Sequence, residues 1–472
     1  MNILYLHSHD TGRYIGAYGY PAPTPEIDSF ASGAVLFRNA HSIAPTCSPS
    51  RAGLLTGAYP HEVGMLGLAH RGFRLDDYSL HLAGHLRENG YTTTLCGVQH
   101  IAPRKSLIGY DRILDGEKDY FDLEITDLAA YDRTDAERVA EYLSDPPQGP
   151  FFLSFGLLNT HRPFPEPPPS SSHTSRAHTI RPPSPIPDTP ETRADTEGFH
   201  RSLHIADECI GRVLDALAHS GVEEETLVLL TTDHGPAFPE MKATLRDDGT
   251  GVMLMMRVPG QGLRGNGGTV DTIVSQLDLF PTICELAGIE LPRKSRDRYP
   301  LRGTSLAPLL RDYSQVHSEA GGEQDGARDR GEAGKSDRAG DQFDRYLYSE
   351  STFHAAYEPA RAVRSGRYKF IRHFSPHGHK LPVNVDDSAA KDFFHRAGYF
   401  DEPWCSDELF DLFLDPSEKE NRASELRYRE VREDLTGALR SWMRETKDPL
   451  LDGSIAAPGN AVIDDPDSYS PR

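Results

Sequence analysis

Four short apolar runs divide the first half of the chain, and each delivers His, Asp or Asn just past its end. Ile3 to Leu6 precedes Ser8-His9-Asp10, and Thr92 to Cys96 runs into Gly97-Val98-Gln99-His100. Phe151 to Phe155 precedes Asn159-Thr160-His161, and Leu227 to Leu230 leads into Thr231-Thr232-Asp233-His234-Gly235. Short apolar runs bounded by polar clusters predict buried strands. Between them the apolar spacing turns helical. Leu80, Leu82, Ala83 and Leu86 predict a helix over 79–89, ending near Gly90. Leu203, Ala206, Ile210, Val213, Leu214 and Leu217 predict one over 201–219, with Gly221 as the stop. Strands alternating with helices imply an α/β fold with much parallel pairing. In such sheets ligands gather beyond the carboxyl ends of the strands. The four polar clusters are therefore expected to converge on one site.

Two segments interrupt this pattern. Residues 162–190 hold ten prolines, and the stretch begins beside His161, which makes it a candidate lid or pocket wall. Residues 316–342 are rich in Gly, Glu, Asp, Arg and Ser and read as a disordered insertion. Beyond it, Arg345 to Glu350 and Tyr368 to Phe374 look like strands, Glu408-Leu409-Phe410-Asp411-Leu412 follows, and 422–444 reads as a closing helix. The expected architecture is a catalytic α/β domain over 1–315 with a large, mixed, mainly parallel sheet flanked by helices. The insertion at 316–342 and a smaller C-terminal α+β subdomain over 343–472 complete it.

The chain has 472 residues, 37% of them hydrophobic, and a formal net charge of -21. That charge argues against nucleic-acid binding, and it requires any pocket for an anion to be locally basic. No stretch is long enough to span a bilayer, so no membrane partner is expected. The start, Met1-Asn2-Ile3-Leu4, has no basic n-region or cleavage site, which predicts a cytoplasmic protein. The five cysteines, Cys47, Cys96, Cys209, Cys284 and Cys405, are widely spaced and odd in number, against a disulfide framework or a structural zinc site. Cys96, Cys209 and Cys284 lie in apolar segments and are expected in the core.

Cys47 opens the run Cys47-Ser48-Pro49-Ser50-Arg51-Ala52-Gly53-Leu54-Leu55-Thr56-Gly57. Pro49 suits a first helical turn, Ala52 to Leu55 sustain a helix and Gly57 is a C-cap. Cys47 is then at or just before a helix N-terminus, where free N–H groups and the dipole favour an anion. Arg51, about one turn on, adds a planar fork of donors. Asp10, Asp233 and His234 are the metal-ligand candidates. Carboxylates suit a hard divalent cation, and imidazole shifts preference toward transition metals.

The Cys47 run, followed by Asp233-His234-Gly235, resembles the sulfatases of the alkaline phosphatase superfamily from residue 2 to about residue 450. Gly64-Met65-Leu66-Gly67-Leu68, Pro187-Asp188-Thr189-Pro190 and Thr446-Lys447-Asp448-Pro449 make it most similar to the heparan N-sulfatase (sulfamidase) branch. The resemblance implies an alkaline phosphatase-like fold and hydrolysis of a sulfate ester or N-sulfate, of a saccharide or other small organic sulfate. Cys47 would become formylglycine, which implies a formylglycine-generating or anaerobic maturase as partner. His9, Asp10, Cys47, Asp233 and His234 would surround one divalent cation, calcium by resemblance. Two histidines raise manganese or zinc as alternatives. Arg51, His100, His161 and Lys242 would complete the catalytic set, with the histidines moving protons and Lys242 binding sulfate oxygens.

The chain departs from the family at several slots. His9 stands where a second Asp is usual, Val98 where a Lys is usual, and Asn159 where Asp is common. Arg104, Lys105 or Arg246 are candidates to replace the missing lysine. His7, His41, His61, His70, His204 and His354 have no motif support and are expected on the surface or satisfied in the core. Phe353 and His354 are a candidate pocket-lining pair. Two other functions stay open: a phosphonate or phosphodiester hydrolase of the same superfamily, and a catalytically weak protein that binds sulfated ligands.

Overall fold

The structure is a computed structural model and describes residues 1–117, 127–166, 179–260, 267–293, 297–311 and 345–472. The insertion expected at 316–342 and the middle of the proline-rich segment lie outside the described residues.

The four expected strands span Asn2–Ser8, Thr92–Gly97, Phe151–Gly156 and Thr226–Thr232. They form the middle of an eight-stranded sheet whose spatial order is Arg112–Ile113, Thr92–Gly97, Phe151–Gly156, Asn2–Ser8, Thr226–Thr232, Leu254–Arg257, Val35–Phe37 and Gly268–Val270. The first five run parallel, and Leu254–Arg257 is antiparallel to both of its neighbours. Register aligns the carboxyl ends. His7 pairs with Gly156 and Ser8 with Thr232.

Alternate side chains of the first strand feed two cores. Ile3 and Tyr5 join Ala52, Leu54, Leu55, Phe280 and Ile283 on one face. Leu4 and Leu6 join Val139, Leu143, Leu203, Ile210 and Val213 on the other. Burial on both faces is why these strands read as continuous apolar runs rather than alternating ones.

The helix expected over 201–219 runs from Pro190 to His219, capped by Thr189, whose side chain accepts from Thr192 N. Its first turns, rich in Thr, Glu, Arg and Asp, carry no apolar stripe to betray them in the sequence. The helix expected over 79–89 is an α-helix over Leu82–Glu88, with the His81 side chain accepting from Ala83 N.

The C-terminal region holds a separate four-stranded antiparallel sheet in the order Leu347–Phe353, Tyr357–Arg364, Tyr368–His373 and Asp407–Asp411. The Arg429–Glu445 helix lays Leu435, Leu439, Trp442 and Met443 on Val363, Phe370 and Leu409. The same cluster takes in Ile43, Ala44 and Tyr59, which joins this sheet to the Cys47 region. The second strand escapes sequence reading because it carries Arg361. That side chain is fully buried and paired with Asp448, Nε to Oδ2 at 2.5 Å.

The expected fold class is the observed one, a large mixed and mainly parallel sheet plus a small antiparallel sheet near the C-terminus. Cys96, Cys209 and Cys284 are buried, as expected, and Cys405 is exposed. Among the described residues no helix is long and apolar enough to cross a membrane.

Candidate active site

Cys47 is the first residue of a fully buried helix, Cys47–Thr56, that ends on Gly57 in the left-handed region at φ 69°. Short bonds dock this helix against the sheet. Ser50 Oγ donates to the Asp233 carbonyl at 2.5 Å, and Ser48 Oγ accepts from Ala69 N at 2.9 Å. Cys47 Sγ thereby lies 3.3 Å from His234 Nε2. Burial pushes the unmodified thiol well above its ordinary pKa, so an unaltered Cys47 is a poor thiolate.

The strand ends converge as expected. Thr160 N and Oγ1 bond the His9 carbonyl at 2.8 and 2.9 Å, and Asp10 N donates to Asp233 Oδ1 at 2.9 Å. Asp10 and His100 both adopt φ 52°. Such backbone costs non-glycine residues on the order of 1–3 kcal/mol and clusters at functional sites. Gly235 is required for a different reason, since a Cβ there would fall 1.8 Å from the Asp248 carbonyl oxygen.

His9, Asp10, Cys47, Asp233 and His234 each offer a ligand atom, and those atoms all lie within 4.8 Å of one another. Their hydrogen bonds test whether a cation fits. His234 Nδ1 donates to the Gly235 carbonyl at 2.9 Å, which leaves the Nε2 lone pair to face Cys47 Sγ at 3.3 Å. That lone pair faces Asp10 Oδ1 at 3.2 Å and Asp233 Oδ2 at 3.8 Å. Burial opposes charge on both carboxyls, yet Lys242 holds Asp10 well below the usual range, and Asp233 is held down as well. Two ionised carboxylates and an imidazole lone pair aimed at one another suit a divalent cation. His9 Nδ1 is 2.9 Å from Asp10 Oδ1 and 3.3 Å from Asp233 Oδ2, so the imidazole lies within the same carboxylate cluster. Burial lowers its pKa to about 4.

Two fixed cations border the cluster. Arg51 Nε donates to Asp233 Oδ2 at 3.0 Å, and Lys242 Nζ to Asp10 Oδ2 at 2.7 Å. The His161 ring packs edge-on to His9, centroids 4.8 Å apart, and donates Nδ1–H to the Arg162 carbonyl at 2.6 Å. His100 is buried 5.8 Å from His9 and bonds His70 Nδ1 through Nε2 at 3.0 Å. His9, Asp10, Cys47, Arg51, His100, His161, Asp233, His234 and Lys242 are thus gathered at one end of the sheet.

None of the candidate replacements for the missing lysine stands in the cluster. Lys105 is buried against Asp115, Arg246 pairs with Glu240 and Glu408, and Arg104 is exposed. Val98 packs on Leu158 in a small apolar patch. Asn159 is structural. Its Oδ1 accepts from Ser202 Oγ at 2.6 Å, and its Nδ2 donates to Asp132 at 2.7 Å.

Sequence reading missed two members. His7 Nδ1 accepts from Arg51 Nη1 at 2.6 Å and orients the guanidinium from below. Asp386 Oδ2 lies 3.2 Å from Lys242 Nζ. His7 sits in a strand and Asp386 in an acidic loop, and neither position carries a motif. His61 bonds Glu350 through Nδ1 and its backbone N–H but leaves its buried Nε2 without a hydrogen bond, His204 is a surface residue, and His354 is buried with Nδ1 3.1 Å from the Asn384 carbonyl. His41 breaks the expectation: it is buried, and neither ring nitrogen makes a hydrogen bond.

The sulfatase family model matches residues 1–289. The chain belongs to the sulfatase family. Human N-sulphoglucosamine sulphohydrolase is 28% identical to this sulfatase over 496 residues, covering 95% of this chain and 91% of the human one. The Delta 4,5-hexuronate-2-O-sulfatase of Bacteroides thetaiotaomicron is 25% identical, over 93% of this chain and 88% of its own. A solved 2-O glycosaminoglycan sulfatase superposes on this sulfatase with a TM-score of 0.67 at 22% identity, covering 97% of this chain and 95% of that one. At that identity the likeness speaks for the fold.

Proposed function

We propose that this sulfatase hydrolyses a sulfate ester or N-sulfate of a saccharide, with Cys47 oxidised to formylglycine by a maturase. One observation carries the reading. Cys47 heads a buried helix with Sγ 3.3 Å from His234 Nε2, inside a cluster that also holds Asp10 and Asp233. Hydrated formylglycine would present two hydroxyls on one carbon, one to take the sulfuryl group and one to expel sulfate. Asp10, Asp233 and His234, with His9, would hold one divalent cation, which when bound neutralises charge on the transferring group. Carboxylates suit calcium, while two imidazoles favour manganese or zinc.

The chain's own groups do the rest. Arg51 is fixed by Asp233 and His7 and keeps positive charge beside residue 47. Lys242 offers an ammonium to the sulfate oxygens. His161 Nδ1 is committed to a carbonyl, so Nε2 is the nitrogen that accepts or returns a proton at the leaving oxygen or nitrogen. His100, backed by His70, lies on the same side and serves the leaving group.

Peptide mass spectrometry across Cys47 from the native host, with turnover of sulfate esters, N-sulfates, phosphate esters and phosphonates, tests the proposal. Aldehyde at residue 47, sulfate release and its loss in Cys47→Ala are expected. Unmodified thiol with no sulfate release would sink it, and preferred phosphonate turnover would move it to the alternative hydrolase.

A further inference from the structure

Lys242 is held between two carboxylates, 2.7 Å from Asp10 Oδ2 and 3.2 Å from Asp386 Oδ2. Exposure rises along this line. The side chain of Asp10 is 0% exposed, that of Lys242 3% and that of Asp386 19%. Asp386 therefore stands on the solvent side of the pocket, where the group that carries the sulfate must lie.

Its position is built rather than loose. Asn384 Oδ1 accepts from Ala355 N at 3.0 Å and Ala356 N at 2.8 Å, and its Nδ2 donates to Glu358 Oε2 at 2.8 Å. Glu358 Oε1 in turn accepts from Trp404 Nε1 at 3.1 Å. These bonds clamp the 382–386 segment to the antiparallel sheet. Burial works against charge on Asp386, but Lys242 outweighs it and holds the carboxyl at about 2.

A carboxylate is misplaced in a sulfate pocket unless it reads something else. Sulfate oxygens only accept hydrogen bonds, and so does an ionised Asp386. A hydroxyl, amine or ammonium beside the sulfate can donate to it, whereas a carboxylate or second sulfate there meets a like charge. Discrimination by such repulsion is how sites reject near-identical ligands.

We propose that Asp386 is a specificity-determining residue that selects sulfates flanked by hydrogen-bond donors, as on a neutral or amino sugar, against sulfates flanked by a carboxylate, as on a uronic acid. This rests on the sulfatase reading above. The mature enzyme should show a higher kcat/KM for N-sulfoglucosamine or glucosamine 6-sulfate than for a 2-sulfated hexuronate. Asp386→Asn, which keeps shape and loses charge, should shrink that ratio at least tenfold. An equal loss on both substrates would reduce Asp386 to a neutraliser of Lys242 and overturn the proposal, as would a wild-type preference for the uronate. Calorimetric binding of glucosamine 6-sulfate and of 2-sulfated hexuronate to Cys47→Ala, with and without Asp386→Asn, decides the question without turnover. An unchanged affinity ratio there overturns the role of Asp386 even if the chain hydrolyses nothing, whereas unmodified Cys47 without sulfate release overturns only the catalytic reading.

Discussion

Arg51 reaches from the second turn of the Cys47 helix to Asp233 at the end of a strand, its Nε and Nη2 each 3.0 Å from Oδ2. Both side chains are almost fully buried. The pair ties the residue expected to be oxidised to the residues expected to hold the cation. It also fixes a positive charge that neither rotates away nor loses its proton.

Removing that charge exposes Asp233 to its neighbour Asp10. Arg51→Met should cost about 3–5 kcal/mol, the usual price of orphaning a buried partner, and abolish turnover. Arg51→Lys should rescue little, because an ammonium cannot reach Asp233, His7 Nδ1 and the Ser8 carbonyl at once. Urea unfolding and kcat check both.

The converging carboxylates and imidazole predict that the folded protein depends on a cation. Dialysis against a chelator should lower Tm and stop turnover, and titrating calcium, manganese or zinc back should restore both, since a ligand of the folded state stabilises it by mass action. Asp233→Asn should flatten the dependence of Tm on metal concentration. A Tm indifferent to chelation in the wild type would count against the cation.

Lys242 bridges the cluster and the pocket mouth. Lys242→Gln should raise KM for sulfated substrates and weaken inhibition by inorganic sulfate at least tenfold. Inhibition constants measured at fixed ionic strength would show it, and unchanged sulfate inhibition would remove Lys242 from the anion site.

Glu408 links the antiparallel sheet to the loop that carries Lys242. It accepts from His373 Nε2 at 3.0 Å and Arg246 Nη2 at 3.2 Å. Burial opposes its charge, but these partners hold the carboxyl at about 2, below the ordinary value of about 4.3. Folded Glu408 binds its proton more weakly than unfolded Glu408. Its contribution, on the order of 3 kcal/mol, is complete above about pH 5 and lost as pH falls from about 4 to 2. Glu408→Gln should lower stability at pH 7 and flatten that stretch of the acid-unfolding curve.

The sheet was legible because its strands are buried on both faces, so Ile3 to Leu6 and Leu227 to Leu230 show as unbroken apolar runs. The site was legible where chemistry follows a strand end at once, as at Asp10, His161 and Asp233. The long helix was read short because Pro190 to Glu197 has a cap but no apolar stripe. The Tyr357–Arg364 strand was missed because its central arginine is neutralised by Asp448, 87 positions away.

By itself the sequence determined what acts within a turn or a strand: the apolar runs, the Cys47 helix with Pro49 inside and Gly57 at its end, and the order of the polar clusters. Only the tertiary structure decided which charges meet. His7 finds Arg51 across 44 positions, Lys242 finds Asp10 across 232, and His61 finds Glu350 across 289. A buried ion is stable only beside its partner, and that partner is chosen by how the sheet and its C-terminal neighbour pack, a contact no local period encodes.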